Sequence, residues 1–173
     1  MEIVCHPSTK NQMFKDPALV GKVFDARLYQ FIQESTLYAE REIKTIIAAE
    51  AQGVMGAQGG LLGSTYSEMR GTPASPIGVV SSPSAYAIVI EEGRRPGQRM
   101  PPSDMLVPWI MQKFDLPEEQ AQKLAFVVAR SIGRKGFAGV HMYARGMKLT
   151  EAYMQKGARE LGLYVASDLE KEV

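Results

Sequence analysis

One long helical pattern constrains this chain more than any other feature of its sequence. From Asp16-Pro17 up to Gly53, apolar and polar side chains recur with the period of an α-helix. The Asp-Pro pair is a typical helix start, because Asp caps the first free amides and Pro loses only an amide that would be unpaired anyway. About 35 residues at 1.5 Å each would span roughly 50 Å, more than a domain of this size needs for its own core. The pattern predicts a break in this helix or a partner along it.

The length and charge of the chain bound the remaining possibilities. Its 173 residues and 19.0 kDa fit one domain, or one domain plus an arm, and such a chain buries roughly 70% of the surface of its unfolded form. Twenty Lys and Arg against nineteen Asp and Glu give a net charge of +1. Binding of nucleic acid or anionic lipid would therefore depend on a local patch and not on bulk charge.

Cysteine usage and hydropathy indicate where such a chain is assembled. Cys5 is the one cysteine, which excludes an internal disulfide and a thiolate-rich zinc or iron–sulfur site. This usage fits a reducing compartment such as a bacterial cytoplasm. The start of the chain lacks the basic and apolar regions of a signal peptide, and no apolar run approaches the length of a membrane span. We expect neither export by a cleaved signal nor insertion into a membrane.

The order of the predicted elements indicates an α+β fold. Residues 1–16 show no period and are predicted to be an N-terminal arm, and residues 17–173 a single α+β domain. The stretch 53–63 carries five glycines and is predicted to be a mobile connector. The domain is expected to hold a small antiparallel β-sheet of about three to four strands with helices packed on one face, between a long N-terminal helix and a C-terminal helix. The strands of this meander are predicted at 64–70, 77–81 and 85–91.

Three further helices are expected after the loop 93–102. The first is capped by Ser103 or Asp104 and ends near Phe114, and we expect its Trp109 to be a core residue that locks this helix to the sheet. The second starts at Pro117 and ends at Gly133, and the third starts near Thr150-Glu151. The buried stripe of the second helix is predicted to be Ala121, Leu124, Ala125, Val128 and Ile132.

The sequence offers little catalytic chemistry. His6 and His141 are the two histidines, and neither has a second ligand or base at a suitable spacing. The glycine-rich stretch lacks the Lys and Ser/Thr that a phosphate-binding loop needs. We therefore expect no catalytic residue, no cofactor, no metal site and no enzyme activity, with a small hydrolase or transferase as the enzymatic alternative.

Local positive charge is concentrated at two points of the sequence. One is the loop RRPGQR, which has no acidic residue before Asp104, and the other lies near the end of the second predicted helix. The loop reads either as a solvated turn or as a docking site for a carboxylate-rich partner or a phosphate backbone, since guanidinium groups bind both. The cations are Arg94, Arg95 and Arg99 in the loop, and Arg130, Arg134 and Lys135 in the second cluster.

A series of short motifs resembles the head–tail joining and tail-completion proteins of tailed bacteriophages. The resemblance covers roughly residues 57–145 and depends on the order and spacing of the motifs. These are Gly59, Leu61 and Ser64 as a G-x-L-x-x-S entry to the first strand, Tyr86-Ala87, Glu91-Glu92-Gly93-Arg94-Arg95-Pro96-Gly97, Met100-Pro101-Pro102, Trp109, and Ile132-Gly133-Arg134-Lys135-Gly136.

This resemblance implies a non-enzymatic virion protein, assembled in the cytoplasm of a bacterial host. Its subunits would form a ring, expected to be a hexamer, that joins the DNA-filled head to the tail and lets DNA pass. Implied partners are further copies, neighbouring connector or head-closure proteins, tail-tube or tail-terminator proteins, and phage DNA. A tail terminator that caps the tail tube, or a free DNA-binding protein using the arginine loop, is the alternative. Structural roles are implied for Gly93, Pro101, Pro102 and Trp109, and contacts to a partner or the DNA channel for Arg94, Arg95, Arg99, Arg134 and Lys135.

Overall fold

The computed structural model describes residues 16–50, 60–84 and 86–171 and confirms the α+β fold class. In these residues the strands form two antiparallel sheets of two strands each, β1 with β2 and β3 with β4, where one sheet of three to four strands was expected. The helices are α1 (Pro17–Glu50), α2 (Leu61–Ser64), α3 (Ala87–Glu92), α4 (Val107–Phe114), α5 (Glu118–Lys135) and α6 (Met142–Lys171), and a 3₁₀ turn spans Asp104–Leu106. The strands are β1 (Tyr66–Thr72), β2 (Ser75–Ser81), β3 (Gly93–Arg94) and β4 (Phe137–Ala138).

The start of α1 follows the sequence signal. Asp16 Oδ1 accepts hydrogen bonds from the amides of Ala18 at 2.9 Å and Leu19 at 3.3 Å. These contacts satisfy two amides that have no partner inside the helix. The predicted arm, apart from Asp16, and residues 53–59 of the predicted connector lie outside the described residues.

The chain divides into two compact units. One comprises the described parts of Met1–Tyr38, Glu68–Val79 and Thr150–Val173, and the other comprises those of Ala39–Ser67 and Val80–Leu149. We call them the helix-pair unit and the core unit. Helices α1 and α6 each contribute residues to both units. A division into two compact units does not show that each unit folds by itself, so the single α+β domain at residues 17–173 remains a prediction.

The helix-pair unit packs the beginning of α1 antiparallel to the end of α6. Arg27 forms an ion pair with Asp168, while Tyr38 stacks on Tyr153 with ring centroids 4.4 Å apart. Gly157 gives room for the packing, because a Cβ at this position would overlap the ring of Phe31. The contacts show that two helices 34 and 30 residues long run in opposite directions where they meet in this unit.

The core unit holds two clusters of buried apolar side chains. Leu61 and Ile43, which are fully buried, belong to the first cluster, and the second joins α4 to α5 through Ile110 and a row of alanines. Among the described residues, no helix is both long enough and apolar enough to cross a membrane. The buried members of the first cluster are Ile43, Ile46, Ile47, Leu61, Ala87, Ile90 and Met142, and those of the second are Leu106, Ile110, Ala121, Ala125 and Ala129.

The strand predicted at 85–91 is wrong, because residues Ala87–Glu92 form helix α3. The alternation of Tyr86, Ile88 and Ile90 resembles a strand, but the structure buries Ala87 and Ile90, which are spaced as on one helix face. Ile88 is left 65% exposed. Burial against the first cluster thus overrides the local β-propensity of this segment.

Helix α6 begins eight residues before the start that the sequence suggested at Thr150, at Met142. The amides of its first turn are bound by a distant side chain, since Glu91 accepts hydrogen bonds from Tyr143 N and Ala144 N. Gly146 is accommodated because a Cβ there would overlap the side chain of Ile43. Neither contact has a counterpart in the local sequence pattern.

Candidate functional site

The arginine loop begins where two backbones meet in the core unit. Strand β3 pairs with β4 in the register Gly93↔Ala138 and Arg94↔Phe137. Gly93 has φ +76°, and a Cβ on it would overlap the backbone of Gly139 and Phe137. Only glycine tolerates both conditions. The turn that starts the loop is thereby fixed to the segment that follows α5.

The end of α5 lies directly against the same loop. A Cβ on buried Gly133 would lie 3.1 Å from the backbone oxygen of Gln98 and from the Cα of Met100. The helix does not end at Gly133, as the sequence suggested, but continues to Lys135, and Gly136 N then donates to Ile132 O at 2.9 Å. Gly133 therefore serves close packing between helix and loop.

Arg94 is used inside the loop. Its Nη2 donates a hydrogen bond to the backbone oxygen of Arg99, which closes the loop between these two positions. The side chain is half-buried, and its Nε, which is shielded from solvent, has no hydrogen-bond partner among the described residues. Arg94 thus stabilises the loop conformation, whereas the Arg95 and Arg99 side chains are exposed.

Three of the five predicted contact cations border one cleft. Arg94, Arg95 and Lys135 line an open cleft of about 660 Å³, together with the side chains of Glu92 and Phe137. Three cations against one carboxylate suit a multiply charged anion, such as a phosphate or a carboxylate cluster. Arg99 and Arg134 are exposed but do not line this cleft.

Arg134 and Lys135 also have a structural role, because they lie at the end of α5. Both lie in the last turn of the helix, and Glu118 and Glu119 lie in the first turn. Each charge faces the helix end of opposite partial charge, a favourable contribution of about 0.3–1 kcal/mol for an exposed residue. The basic residues at the end of α5 are thus partly accounted for by helix stability.

The residues expected to be structural lie along the path from the loop to α4. Pro101 is half-buried and Pro102 is exposed. Trp109 is half-buried in the second cluster, with Phe114 6.2 Å and Lys113 Nζ 5.2 Å from its ring. It joins α4 to α5, so the expected contact with a sheet is replaced by a contact between helices.

Metal-ligating side chains do not cluster in the part of the chain that the structure describes. No group of three or more His, Cys, Asp or Glu side chains in this part could hold a metal ion. His141 has a positive φ of +52°, and its amide donates to Glu91 O at 3.1 Å, which places it at the turn before α6. Cys5 and His6 lie outside the described residues.

A second cavity lies within the helix-pair unit and was not indicated by the sequence. It measures about 330 Å³ and is bordered by Arg27, Phe31, Tyr153 and Tyr164 among other residues. Arg27 is already engaged there, because its hydrogen bond to Asp168 raises the pKa of the guanidinium and its charge lies 5.7 Å from the centre of the Tyr164 ring. The arginine therefore serves the packing of the two helices.

Comparisons with protein-family models, with curated proteins and with solved structures find no match to this chain. The cleft between the arginine loop and the end of α5, with Arg95 and Lys135 as its exposed cations, is the candidate site that the geometry supports best.

Proposed function

We propose that this chain is a structural subunit of the head–tail junction of a tailed bacteriophage. Copies of it would form a ring, expected to be a hexamer, that joins the DNA-filled head to the tail and surrounds the path of the DNA. The proposal needs no catalytic residue and no cofactor. Its partners would be further copies, the adjacent connector and tail proteins, and the DNA itself.

The observation that carries the proposal is the way the motifs of the phage resemblance join in one unit. The turn containing Gly93 pairs with the strand after α5, and Gly133 packs on the loop ahead of Pro101-Pro102. Tyr86 Oη donates to the backbone oxygen of Met105 at 3.4 Å, beside the same loop. Motifs spread over about 50 residues thus form one arrangement, which supports reading them as a single family pattern and not as separate coincidences.

Exposed apolar side chains support burial against other copies. In the helix-pair unit, Leu163 is 72% exposed, Tyr164 53% and Phe24 44%. Exposed apolar side chains on long helices are candidates for surfaces that become covered in an assembly. In a ring, each subunit contributes such surfaces to both neighbours.

The cleft would then face an acidic surface. Ring symmetry repeats Arg95 and Lys135 in every subunit, so a chain with a net charge of only +1 presents a dense belt of positive charge. Carboxylates of a neighbouring ring are the first candidate for its partner, and DNA phosphates are the second.

A nonsense mutation in the phage that carries this gene tests the proposal. We expect lysates with DNA-filled heads and separate tails, which electron microscopy distinguishes from whole particles, and we expect joining to be restored by supplying the protein from a plasmid. Tails of uncontrolled length would indicate the tail-terminator alternative, because a terminator caps the growing tube. Normal numbers of infectious particles from the mutant would refute both roles.

A free DNA-binding protein is the second candidate, favoured by the three cations that line one cleft. Phosphate contacts release counterions, so affinity for duplex DNA would fall steeply as salt rises. Titration of the protein with a duplex at 50 and 200 mM salt, with an Arg95→Ala/Lys135→Ala variant as control, measures this directly. Binding that is absent, or equal in the variant, would exclude this candidate.

A further inference from the structure

The cations of the cleft beside the arginine loop are held close together by backbone contacts. A Cβ on Gly136 would overlap the backbone oxygen of Arg94 and would lie 2.8 Å from the carbonyl carbon of Arg95. Lys135 directly precedes Gly136, so the backbone that carries the lysine is in contact with the backbone that carries the two arginines. Three positive side chains from two distant segments thus line one cleft.

The carboxylates of the protein do not neutralise these three cations. Among the described residues, Glu92 is the one acidic residue that lines the cleft, and its side chain is exposed. In the same part of the chain, none of the three cations lies within ion-pair distance of Glu92 or of another carboxylate. Like charges that are kept together repel one another, and a bound anion would relieve this repulsion.

The cleft is preformed by contacts that only glycine permits. A Cβ on Gly93 would overlap the backbone nitrogen of Gly139, and a Cβ on Gly139 would overlap the backbone oxygen of Glu91. The hydrogen bond from Arg94 to the backbone oxygen of Arg99 closes the loop on its other side. Because these contacts already hold the loop in place, a ligand would bind without the cost of ordering it.

An aromatic side chain forms one wall of the cleft. Phe137 lines the cleft and lies opposite Arg94 in the pairing of β3 with β4. Directly opposite residues of an antiparallel pair extend to the same face, so the ring and the arginine side chain lie on one side of the strands. Phe137 is half-buried and packs on the first cluster, which holds its ring in position. The cleft therefore combines cations with an aromatic ring.

We propose that this cleft binds the phosphate monoester of a nucleotide, either free or at the 5′ end of a DNA strand. Such a phosphate carries a charge of about −1.5 to −2 on three acceptor oxygens. This charge matches the net charge of +2 that three cations and Glu92 give the cleft. Guanidinium groups bind phosphate oxygens in pairs, and the lysine adds a point charge. The ring of Phe137 offers a stacking surface for the attached base.

Other anions fit the cleft less well. A carboxylate carries one charge, so a protein partner would have to bring two carboxylates into one cleft against their mutual repulsion. A phosphodiester inside a DNA backbone also carries one charge per phosphate. A phosphorylated side chain supplies the same charge as a nucleotide but brings no base to Phe137. Of these anions, the terminal phosphate of a nucleotide uses both the charge and the aromatic wall.

The nucleotide site deepens the proposed function, because it names the ligand of the same cleft, and it rests on the junction role only for the source of the phosphate. At a head–tail junction this source would be the end of the DNA that passes through. A chain that binds no nucleotide but is needed to join heads to tails would refute the site alone. Nucleotide binding together with normal particles from the nonsense mutant would refute the junction role alone.

Calorimetric titration of the full chain at low salt tests the ligand class with three probes. These are deoxyadenosine 5′-monophosphate (dAMP), deoxyadenosine and O-phosphoserine. We expect dAMP to bind at least about tenfold more tightly than either of the others, because each of them lacks the phosphate or the base. Equal affinities for dAMP and deoxyadenosine would overturn the proposal. O-Phosphoserine binding as tight as that of dAMP would assign the cleft to a phosphorylated protein and also overturn it.

Variants of the cleft test which charges bind the phosphate. Arg95→Ala/Lys135→Ala should weaken dAMP binding at least about tenfold. The matched control is Arg130→Ala, which removes an exposed cation of α5 outside the cleft and should change the affinity by less than about twofold. Glu92→Gln should strengthen binding, a gain that loss of folding cannot produce. Equal losses in the control and the double variant, or no gain in Glu92→Gln, would overturn the proposal.

The aromatic wall and the source of the phosphate are tested separately. Phe137→Leu should weaken dAMP binding severalfold and leave binding of inorganic phosphate unchanged, and equal effects on both would overturn the contact with the base. Fluorescence anisotropy then compares a single-stranded oligonucleotide with and without a 5′ phosphate. Tighter binding of the phosphorylated strand would assign the site to a DNA end, and dAMP binding with equal affinity for both strands would assign it to a free nucleotide. Strands that bind equally while dAMP does not bind would show contacts to internal phosphates and overturn the proposal.

Discussion

The Glu91 carboxylate caps the first turn of α6 from a position 52 residues before Tyr143. Its Oε2 accepts a hydrogen bond from Tyr143 N at 2.8 Å, and its Oε1 accepts one from Ala144 N at 3.0 Å. A negative charge at this place also interacts favourably with the positive end of the helix. One side chain thus holds α3 and the beginning of α6 together.

Replacing Glu91 with Ala should destabilise the protein by about 1–2 kcal/mol, the usual loss when a helix cap is removed. For a chain of this size the melting temperature should fall by roughly 2–8 °C. Glu92→Ala is the control, since Glu92 is adjacent and exposed. Equal melting temperatures for the two variants would show that the cap contributes nothing measurable.

Substitutions at Gly93 and Gly97 distinguish two effects of replacing a glycine, backbone strain at positive φ and steric overlap of the new Cβ. Both have positive φ, +76° and +78°, but a Cβ on Gly93 would overlap backbone atoms while one on Gly97 would meet nothing within 4 Å. Gly97→Ala should therefore cost only the backbone strain, about 1–2 kcal/mol. Gly93→Ala should cost clearly more or prevent folding. Chemical denaturation compares the two, and a Gly93→Ala variant as stable as Gly97→Ala would mean that β3 and β4 separate readily.

Trp109→Ala should lower stability by about 2–3 kcal/mol. This is less than the loss of about 3–5 kcal/mol for a fully buried Trp, because this ring is only half-buried between α4 and α5. Phe114→Ala serves as the comparison, since Phe114 is 49% exposed and contacts the same ring edge-on. Thermal unfolding should rank the wild type first, Phe114→Ala second and Trp109→Ala last.

Single substitutions in the arginine loop should have different effects. Arg94→Ala should reduce stability by about 1 kcal/mol, because it removes the hydrogen bond that closes the loop onto Arg99 O. Arg95→Ala and Arg99→Ala replace exposed loop cations and should change stability by less than about 0.5 kcal/mol.

If the protein is a subunit of the head–tail junction, the Arg95→Ala/Arg99→Ala double variant should fold normally and still impair joining of heads to tails. Wild-type yields of infectious particles from that variant would identify the loop as a solvated turn.

Glu40 should contribute to the acid sensitivity of the protein. Burial raises the pKa of this carboxyl, but hydrogen bonds from Lys44 and Ser67 outweigh burial, so its pKa is lowered in the folded state. Because the pKa of Glu40 is lowered in the folded state, the contribution of its carboxylate to the free energy of unfolding is complete at pH values above the ordinary pKa of 4.5. This contribution is lost as the pH falls through the lower pKa of the folded state. Denaturation curves between pH 7 and pH 3 should show a shallower loss of stability for Glu40→Gln than for the wild type. An equal loss of stability with falling pH in Glu40→Gln and the wild type would contradict a contribution of Glu40 to acid sensitivity.

Local sequence signals were sufficient where the structure depends on neighbouring residues. Asp16-Pro17 predicted the start of α1, and Ala121, Ala125 and the half-buried Leu124 appear on the inner side of α5 as their spacing indicated. Capping and helical periodicity act over one or two turns, so they can be read directly from the chain. The α+β fold class follows from the same signals.

Tertiary contacts decided the rest. Residues 87–92 carry a strand-like pattern but form a helix, because burying Ala87 and Ile90 in the first cluster outweighs their local preference. In the same way the start of α6 depends on Glu91, which lies 52 residues before Tyr143. The composition of the arginine loop was visible in the sequence. Its placement was decided by the pairing of β3 with β4 and by the packing of Gly133 on the loop, and this placement determines which of its charges can meet a partner. Such contacts between distant segments leave no local periodic signal in the sequence.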